Sequence, residues 1–332
     1  MKTSPGLFDL QVNGYAGVDF NDPGITADAL DHALSAMRKS GITQCLPTLI
    51  TAQPAQLHER FVALDAAVAT SKLGASMVPG YHLEGPFLNP TLGYAGCHPP
   101  DAMTDPELAA LDHLDAGLAR PILLVTLAPE RRGSIAFIRA MVGRGKVVAM
   151  AHSAADFAQV AAAADAGMAL STHLGNGLPQ QMHKLENALL AQLSEPRLAA
   201  CLIADGHHMS PRALAALVRI KGADNCILVT DAVLGAAAPA GQYNFAGMPV
   251  ERTREGAMVQ PGRSNLAGSA LCLDDAVRNV VDWSIASADV AIAMASSHPR
   301  RALSKALAAH RIEVHPGIVQ WDAELRPTIQ PG

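Results

Sequence analysis

The chain of 332 residues carries 25 Lys plus Arg against 30 Asp plus Glu, a net charge of −5, without basic or acidic runs. That balance excludes nucleic acid or an anionic membrane as its main partner. With 49% apolar and 17% charged residues it can bury a large core, yet no stretch of about 18 residues is uninterruptedly apolar, so no membrane span is expected.

The opening MKTSPGLFDL lacks the apolar run of an export signal, which makes a cytoplasmic location the expectation. Apolar runs then follow in order near 7–13, 42–50, 76–84, 122–128, 146–152, 168–173, 198–205 and 225–231. Alanine-rich segments of helical period lie between them, among them 26–39, 54–71, 155–166 and 211–221, and Gly41, Gly167 and Gly222 stand where such helices should stop. This alternation marks a parallel α/β sheet, and eight strands are the number that closes a (β/α)8 barrel of the TIM type. After the eighth run, 242–259 alternates polar and apolar residues with turn signals and predicts an inserted β-hairpin; helices return at about 271–283 and 287–306. The barrel is expected over 5–310, with the hairpin near 242–260 and a tail over 311–332. Five cysteines, Cys45, Cys97, Cys201, Cys226 and Cys272, are too scattered for a disulfide framework or a C-x-x-C metal site.

In such barrels the site lies at the C-terminal ends of the strands. The runs end there in Gln11 and Asn13, His82 and Glu84, His152, His173, Asp205 with His208 just beyond, and Asp231. Glu84, His152 and His173 offer one carboxylate and two imidazoles, a donor set suited to one divalent ion, zinc first, with iron, cobalt, manganese or nickel also acceptable. Amides are poor ligands, so Gln11 and Asn13, on one face of their strand, are read as hydrogen-bonding to substrate or to the site. Asp231 can take a proton from the attacking water and return it to a leaving nitrogen, while His208, rather than His207, can donate to the developing oxyanion.

The strings DLQVNG (9–14), HLEGPFLNP (82–90), AHSAADF (151–157), THLGN (172–176), ADGHHMSP (204–211), LVTDAV (228–233) and LAGSALCLDDAVRN (266–279) resemble the N-acetylglucosamine-6-phosphate deacetylases of the amidohydrolase superfamily. The resemblance implies a metal held by Glu84, His152 and His173, Asp231 as general acid and base, and His208 near the acetyl carbonyl oxygen. It further implies that His98 contacts the sugar, that Asn176 and Gly177 turn backbone amides toward a phosphate, that Ala267 and Gly268 line the acetyl-sugar pocket, and that the protein is a homodimer. The activity implied is hydrolysis of the acetamide of N-acetylglucosamine 6-phosphate to glucosamine 6-phosphate and acetate. The alternatives are N-acetylgalactosamine 6-phosphate, an unphosphorylated N-acetyl sugar, or a non-catalytic barrel that binds.

This sequence departs from the family in three places. The family's longer segment ahead of the DLQVNG-like string, part of a small β-sandwich, has no counterpart here, so the tail is expected to be a remnant of that second domain. Lys184, in His183-Lys184-Leu185-Glu186-Asn187, stands where the family has a phosphate-binding arginine, as a point charge without the bidentate fork, or else as a solvated charge at a helix start. Cys97 and Gly177 stand where the family usually has alanine.

Overall fold

A computed structural model describes residues 2–262 and 265–331; residues 263 and 264 in the expected barrel and 332 in the expected tail lie outside the described residues. All eight apolar runs supply strands: Leu7–Val12, Ile42–Ile50, Tyr81–Glu84, Ile122–Leu127, Val147–Met150, Leu170–Ser171, Ala199–Leu202 and Cys226–Leu228. Each pairs in parallel with the next in sequence order, and nearly every residue in them is buried, as expected when both faces of a sheet are covered. The predicted helices form at Ala27–Lys39, Pro54–Thr70, Phe157–Asp165 and Pro211–Lys221. Thr26, Asp156 and Ser210 cap three of them by accepting from backbone N–H groups, Asp156 within a capping box completed by Gln159.

The seam between the first and eighth strands is closed by few backbone bonds. Asp231 N donates to Gln11 O at 2.9 Å and Asn13 N to Ala232 O at 2.7 Å. A side chain adds to the closure: buried Asp9, on the same strand face as Gln11 and Asn13, accepts from Thr230 N at 3.2 Å and Thr230 Oγ1 at 2.5 Å. Burial, opposed by those donors, raises the Asp9 carboxyl to about 7. The unfolded value is about 3.9, so between those values the native state binds more protons than the unfolded chain. This contribution is fully present below about pH 4 and is lost as pH rises toward 7. Asp9→Asn keeps an acceptor and a donor for Thr230 without ionising. In denaturant titrations its stability relative to the parent is expected to improve by a few kcal/mol between pH 4 and pH 7; parallel pH profiles would refute this.

Three expected elements differ. The third run is a strand only from Tyr81, because Gly74–Met77 ahead of it forms a helical turn. The insertion is a three-stranded antiparallel sheet rather than a hairpin: Gly241–Phe245 and Met248–Arg252 are joined by the short strand Met258–Val259. The helix expected over 287–306 is two, Ala288–Ala295 and Ser297–Ala309, broken at Ser296. Pro299 explains the break, since it has no N–H for the Ala295 carbonyl and its ring would collide with it in one continuous helix. The tail contributes strands Ile318–Trp321 and Pro327–Ile329, and Lys2–Pro5 from the other end of the chain pairs antiparallel with the first of them. No helix among the described residues is long and apolar enough to cross a membrane.

Candidate active site

The strand ends converge on a cavity of about 1190 Å³, one wall of which comes from the insertion through Phe245, Met248 and Gln260. Glu84, at the end of the third strand, is at its floor and 2% exposed. His173 Nε2 stands 2.8 Å from Glu84 Oε1, and His152 Nε2 is 3.7 Å from the same oxygen. Gln11 Nε2 donates to Glu84 Oε2 at 3.1 Å and to Asp231 Oδ1 at 2.9 Å; Asn13 Nδ2 donates to Asp231 Oδ1 at 2.8 Å. Residues separated by more than two hundred positions in sequence therefore share one hydrogen-bonded cluster.

Backbone strain falls on the same residues. His152 (φ 49°), His173 (φ 31°) and Asp231 (φ 48°) all adopt left-handed conformations that side-chain-bearing residues avoid, and each lies two or three residues beyond the end of its strand. Such strain persists only where the surroundings impose it, and it concentrates at functional sites. The LAGSAL loop imposes part of it: Ser269 N donates to Asp231 O at 2.9 Å and Ser269 Oγ to Thr230 O at 2.6 Å. Two glycines at positive φ let the loops lie on the His152 ring, since a Cβ on Gly96 would stand 2.9 Å from its Cε1 and one on Gly177 2.5 Å from its Nδ1.

The electrostatics follow from burial. Burial alone would raise the Glu84 carboxyl, but hydrogen bonds from His152 and His173 outweigh it and hold it well below the usual range. Asp231 is pushed up to about 6, chiefly by burial and then by the negative charge of Glu84. Two carboxylates in one buried site call for positive charge, and the donors fit a cation. His152 Nδ1 is tied to the Tyr94 carbonyl at 2.6 Å, which presents Nε2 to Glu84. His173 Nδ1 is buried without a hydrogen-bond partner among the described residues. A carboxylate with two imidazoles is the donor chemistry of catalytic divalent-metal sites.

Other expected residues fall into place around this cluster. His208 lines the cavity, and its Nδ1 is held by Asp205 Oδ2 at 2.7 Å, whereas His207 turns Nε2 to the Glu255 carbonyl of the insertion. His98, Asn176, Gly177 and Gly268 line the cavity, and Ala267 is fully buried behind it. Two residues lie elsewhere. His82 was expected at the mouth, but it is fully buried, with Nδ1 3.3 Å from Thr48 Oγ1 and Nε2 2.8 Å from Thr126 Oγ1. It shares the inward parity of Glu84 and is two residues earlier, hence one layer deeper in the barrel. Lys184 is exposed and is not among the cavity residues, because His183 Nδ1 accepts from Glu186 N at 2.9 Å and turns the segment into its own surface loop. Sequence reasoning gave no role to Thr51, Tyr94 and Asp205, which hold the rings of His98, His152 and His208. Only Asp205, at a strand end, carried a signal.

The fold and site are those of a barrel hydrolase, and comparison with known proteins gives the family. The amidohydrolase family model matches residues 3–305. The N-acetylgalactosamine-6-phosphate deacetylase of Escherichia coli O157:H7 is 35% identical over 299 residues, covering 90% of this chain and 77% of that protein. The N-acetylglucosamine-6-phosphate deacetylase of Homo sapiens is 32% identical over 311 residues, 90% of this chain and 74% of its own. A mutant N-acetyl-D-glucosamine-6-phosphate deacetylase from Mycobacterium smegmatis, solved with N-acetyl-D-glucosamine-6-phosphate, superposes with a TM-score of 0.86 at 27% identity, over 98% of this chain and 84% of that one. The chain belongs to the amidohydrolase family, whose members are metal-dependent hydrolases.

Proposed function

We propose that the protein hydrolyses the acetamide of an N-acetylated amino sugar 6-phosphate, releasing acetate and the free amine, with Glu84, His152 and His173 holding one divalent cation. Zinc is the ion this donor set favours. When bound, the cation polarises the amide carbonyl and lowers the pKa of water toward about 7. The protein's own groups do the rest. Gln11 and Asn13 both donate to Asp231 Oδ1, which fixes that carboxylate and leaves Oδ2 to take the proton of the attacking water and pass it to the departing nitrogen. His208, held at Nδ1 by Asp205, turns its other ring nitrogen toward the carbonyl oxygen as charge develops there. Asn13 Oδ1, buried without a partner among the described residues, is placed to accept from a sugar hydroxyl or the amide N–H. His98, Asn176, Gly177, Ala267 and Gly268 would shape the sugar pocket. A homodimer and a cytoplasmic location belong to the same reading.

The observation that carries it is the convergence of Glu84, His152, His173 and Asp231 on one buried point. Acetate release from N-acetylglucosamine 6-phosphate and N-acetylgalactosamine 6-phosphate by the metal-loaded protein tests it, and no release from either would overturn it. One observation favours an unphosphorylated sugar: no Lys or Arg is among the described residues lining the cavity. A kcat/KM for free N-acetylglucosamine within about threefold of that for its 6-phosphate would establish this second reading, since a phosphate that met a cation would be worth more than 1 kcal/mol.

A further inference from the structure

One carboxylate that is not among the cavity residues ties together the two loops that hold His152. Glu130 follows the fourth strand, Ile122–Leu127. Its Oε1 accepts from Ala154 N at 2.6 Å and from Asn89 Nδ2 at 2.9 Å, and its Oε2 accepts from Ser153 Oγ at 2.6 Å. Ser153 is fully buried and extends the connection, since its Oγ also accepts from Ala155 N at 3.1 Å. Ser153 and Ala154 follow His152 directly in the sequence. Asn89 belongs to the loop after the third strand, and its own backbone N–H donates to His152 O at 3.1 Å.

An ionised carboxylate only accepts, and its two oxygens offer about four sites, so donors from two loops meet on it without conflict. Hydrogen bonds to a charged acceptor are also the stronger kind. What they secure is locally unfavourable: the left-handed backbone of His152, at φ 49°, persists only where its surroundings impose it. The ring depends on the same fastening. Asn89 Oδ1 accepts from Thr91 N at 2.9 Å, Tyr94 N donates to Thr91 O at 3.0 Å, and the Tyr94 carbonyl accepts from His152 Nδ1 at 2.6 Å. Backbone and ring of His152 are thus both fastened through one side chain.

We propose that Glu130 is a positioning residue of the cation site: it touches neither cation nor substrate, and it holds His152 in the backbone conformation and ring tautomer that present Nε2 to the ion. The proposal rests on the metal site described above. Groups that act through a ligand in this way change metal affinity by about 10- to 100-fold when they are lost. A second carboxylate provides a matched comparison. Asp31 accepts from Ser71 Oγ at 2.6 Å and from Lys72 N and Leu73 N at 3.0 Å. That is again one hydroxyl and two N–H donors on one carboxylate, in the connection leading into the third strand, and none of these residues lines the cavity.

The test uses the full chain and Zn²⁺, with Kd read by competition against a chromogenic chelator and cation-free melts recorded beside it. Glu130→Ala is expected to bind zinc about 10- to 100-fold more weakly than the parent. Glu130→Gln keeps one oxygen for Asn89 Nδ2 and Ala154 N and should recover most of that loss. Asp31→Ala removes a carboxylate of equal connectivity, so its melt should fall, but its zinc affinity should stay within about twofold of the parent's, as for sites that do not interact. Parental affinity in Glu130→Ala would overturn the proposal and leave the metal site standing. An equal loss of affinity in Asp31→Ala would do the same, because any loosened loop would then suffice. A parent that binds no zinc would overturn the metal site itself. Should Glu130→Ala fail to fold, Ser153→Ala takes its place: it removes one of the three donors and should weaken zinc binding at least about threefold, the scale of one hydrogen bond. An unchanged Kd in Ser153→Ala would then overturn the role of Glu130 alone.

Discussion

Replacing Asp231 by asparagine is expected to lower kcat by about 10³- to 10⁴-fold, the scale of losing a positioned general acid and base, with metal content unchanged. The substitution is nearly isosteric and spares the surroundings. Gln11 Nε2 and Asn13 Nδ2 both donate to Oδ1, an acceptor that asparagine retains, while the amide on the other branch cannot take a proton. The backbone at this position is left-handed, a conformation asparagine tolerates better than most residues. Stability should therefore hold, and KM should change less than kcat because ground-state contacts survive. Steady-state kinetics beside elemental analysis of the purified variant decide the matter. A kcat within tenfold of the parent would refute the proton-transfer role, and a loss of bound metal would show instead that Asp231 acts as a ligand.

Position along a strand is what made so much of the site readable in advance. Glu84, His152, His173 and Asp231 end apolar runs, and a parallel barrel gathers strand ends whatever their separation in sequence. Parity also told that Gln11 and Asn13 share a face, and the structure puts both amides on one carboxylate oxygen. Depth was harder. His82 has the right parity but the wrong layer, and telling it from Glu84 requires knowing where the strand stops. Contacts that belong to loops were not legible at all: nothing in the residue types says that Thr51 meets His98 or that the Tyr94 carbonyl meets His152. The strand Met258–Val259 has two residues, too few for a period to show. The pairing of Lys2–Pro5 with Ile318–Trp321 joins the two ends of the chain, and no local pattern encodes such a partner. The break at Ser296, by contrast, was available from Pro299 and simply needed its steric consequence drawn.

Glu84→Gln should remove cation binding itself, and a measurement independent of turnover can show it. In the parent, a cation that binds only the folded state stabilises it by about 2.7 kcal/mol at a concentration one hundred times its Kd. For a barrel of this size that raises Tm by several degrees. Glu84 is 2% exposed, takes Gln11 Nε2 on one oxygen and has His173 and His152 on the other. Glutamine fills the same volume but removes the one negative charge among the three proposed ligands. With its N–H₂ turned to Gln11 it sets donor against donor, and turned to the histidines it occupies the side on which the cation would be held. Affinity is expected to fall at least a hundredfold, beyond the 10- to 100-fold typical of losing a group that merely supports a ligand. At the concentration that shifts the parent, added Zn²⁺ should stabilise the variant by no more than about 0.4 kcal/mol, a melt shift of about a degree or less. The cation-free melt of the variant should itself fall, because the histidine hydrogen bonds that hold the Glu84 carboxyl below the usual range are lost with its charge, so each zinc-induced shift is read from that protein's own cation-free baseline. Equal zinc-induced shifts in parent and variant would mean that the ion, if it binds, is held somewhere other than at Glu84.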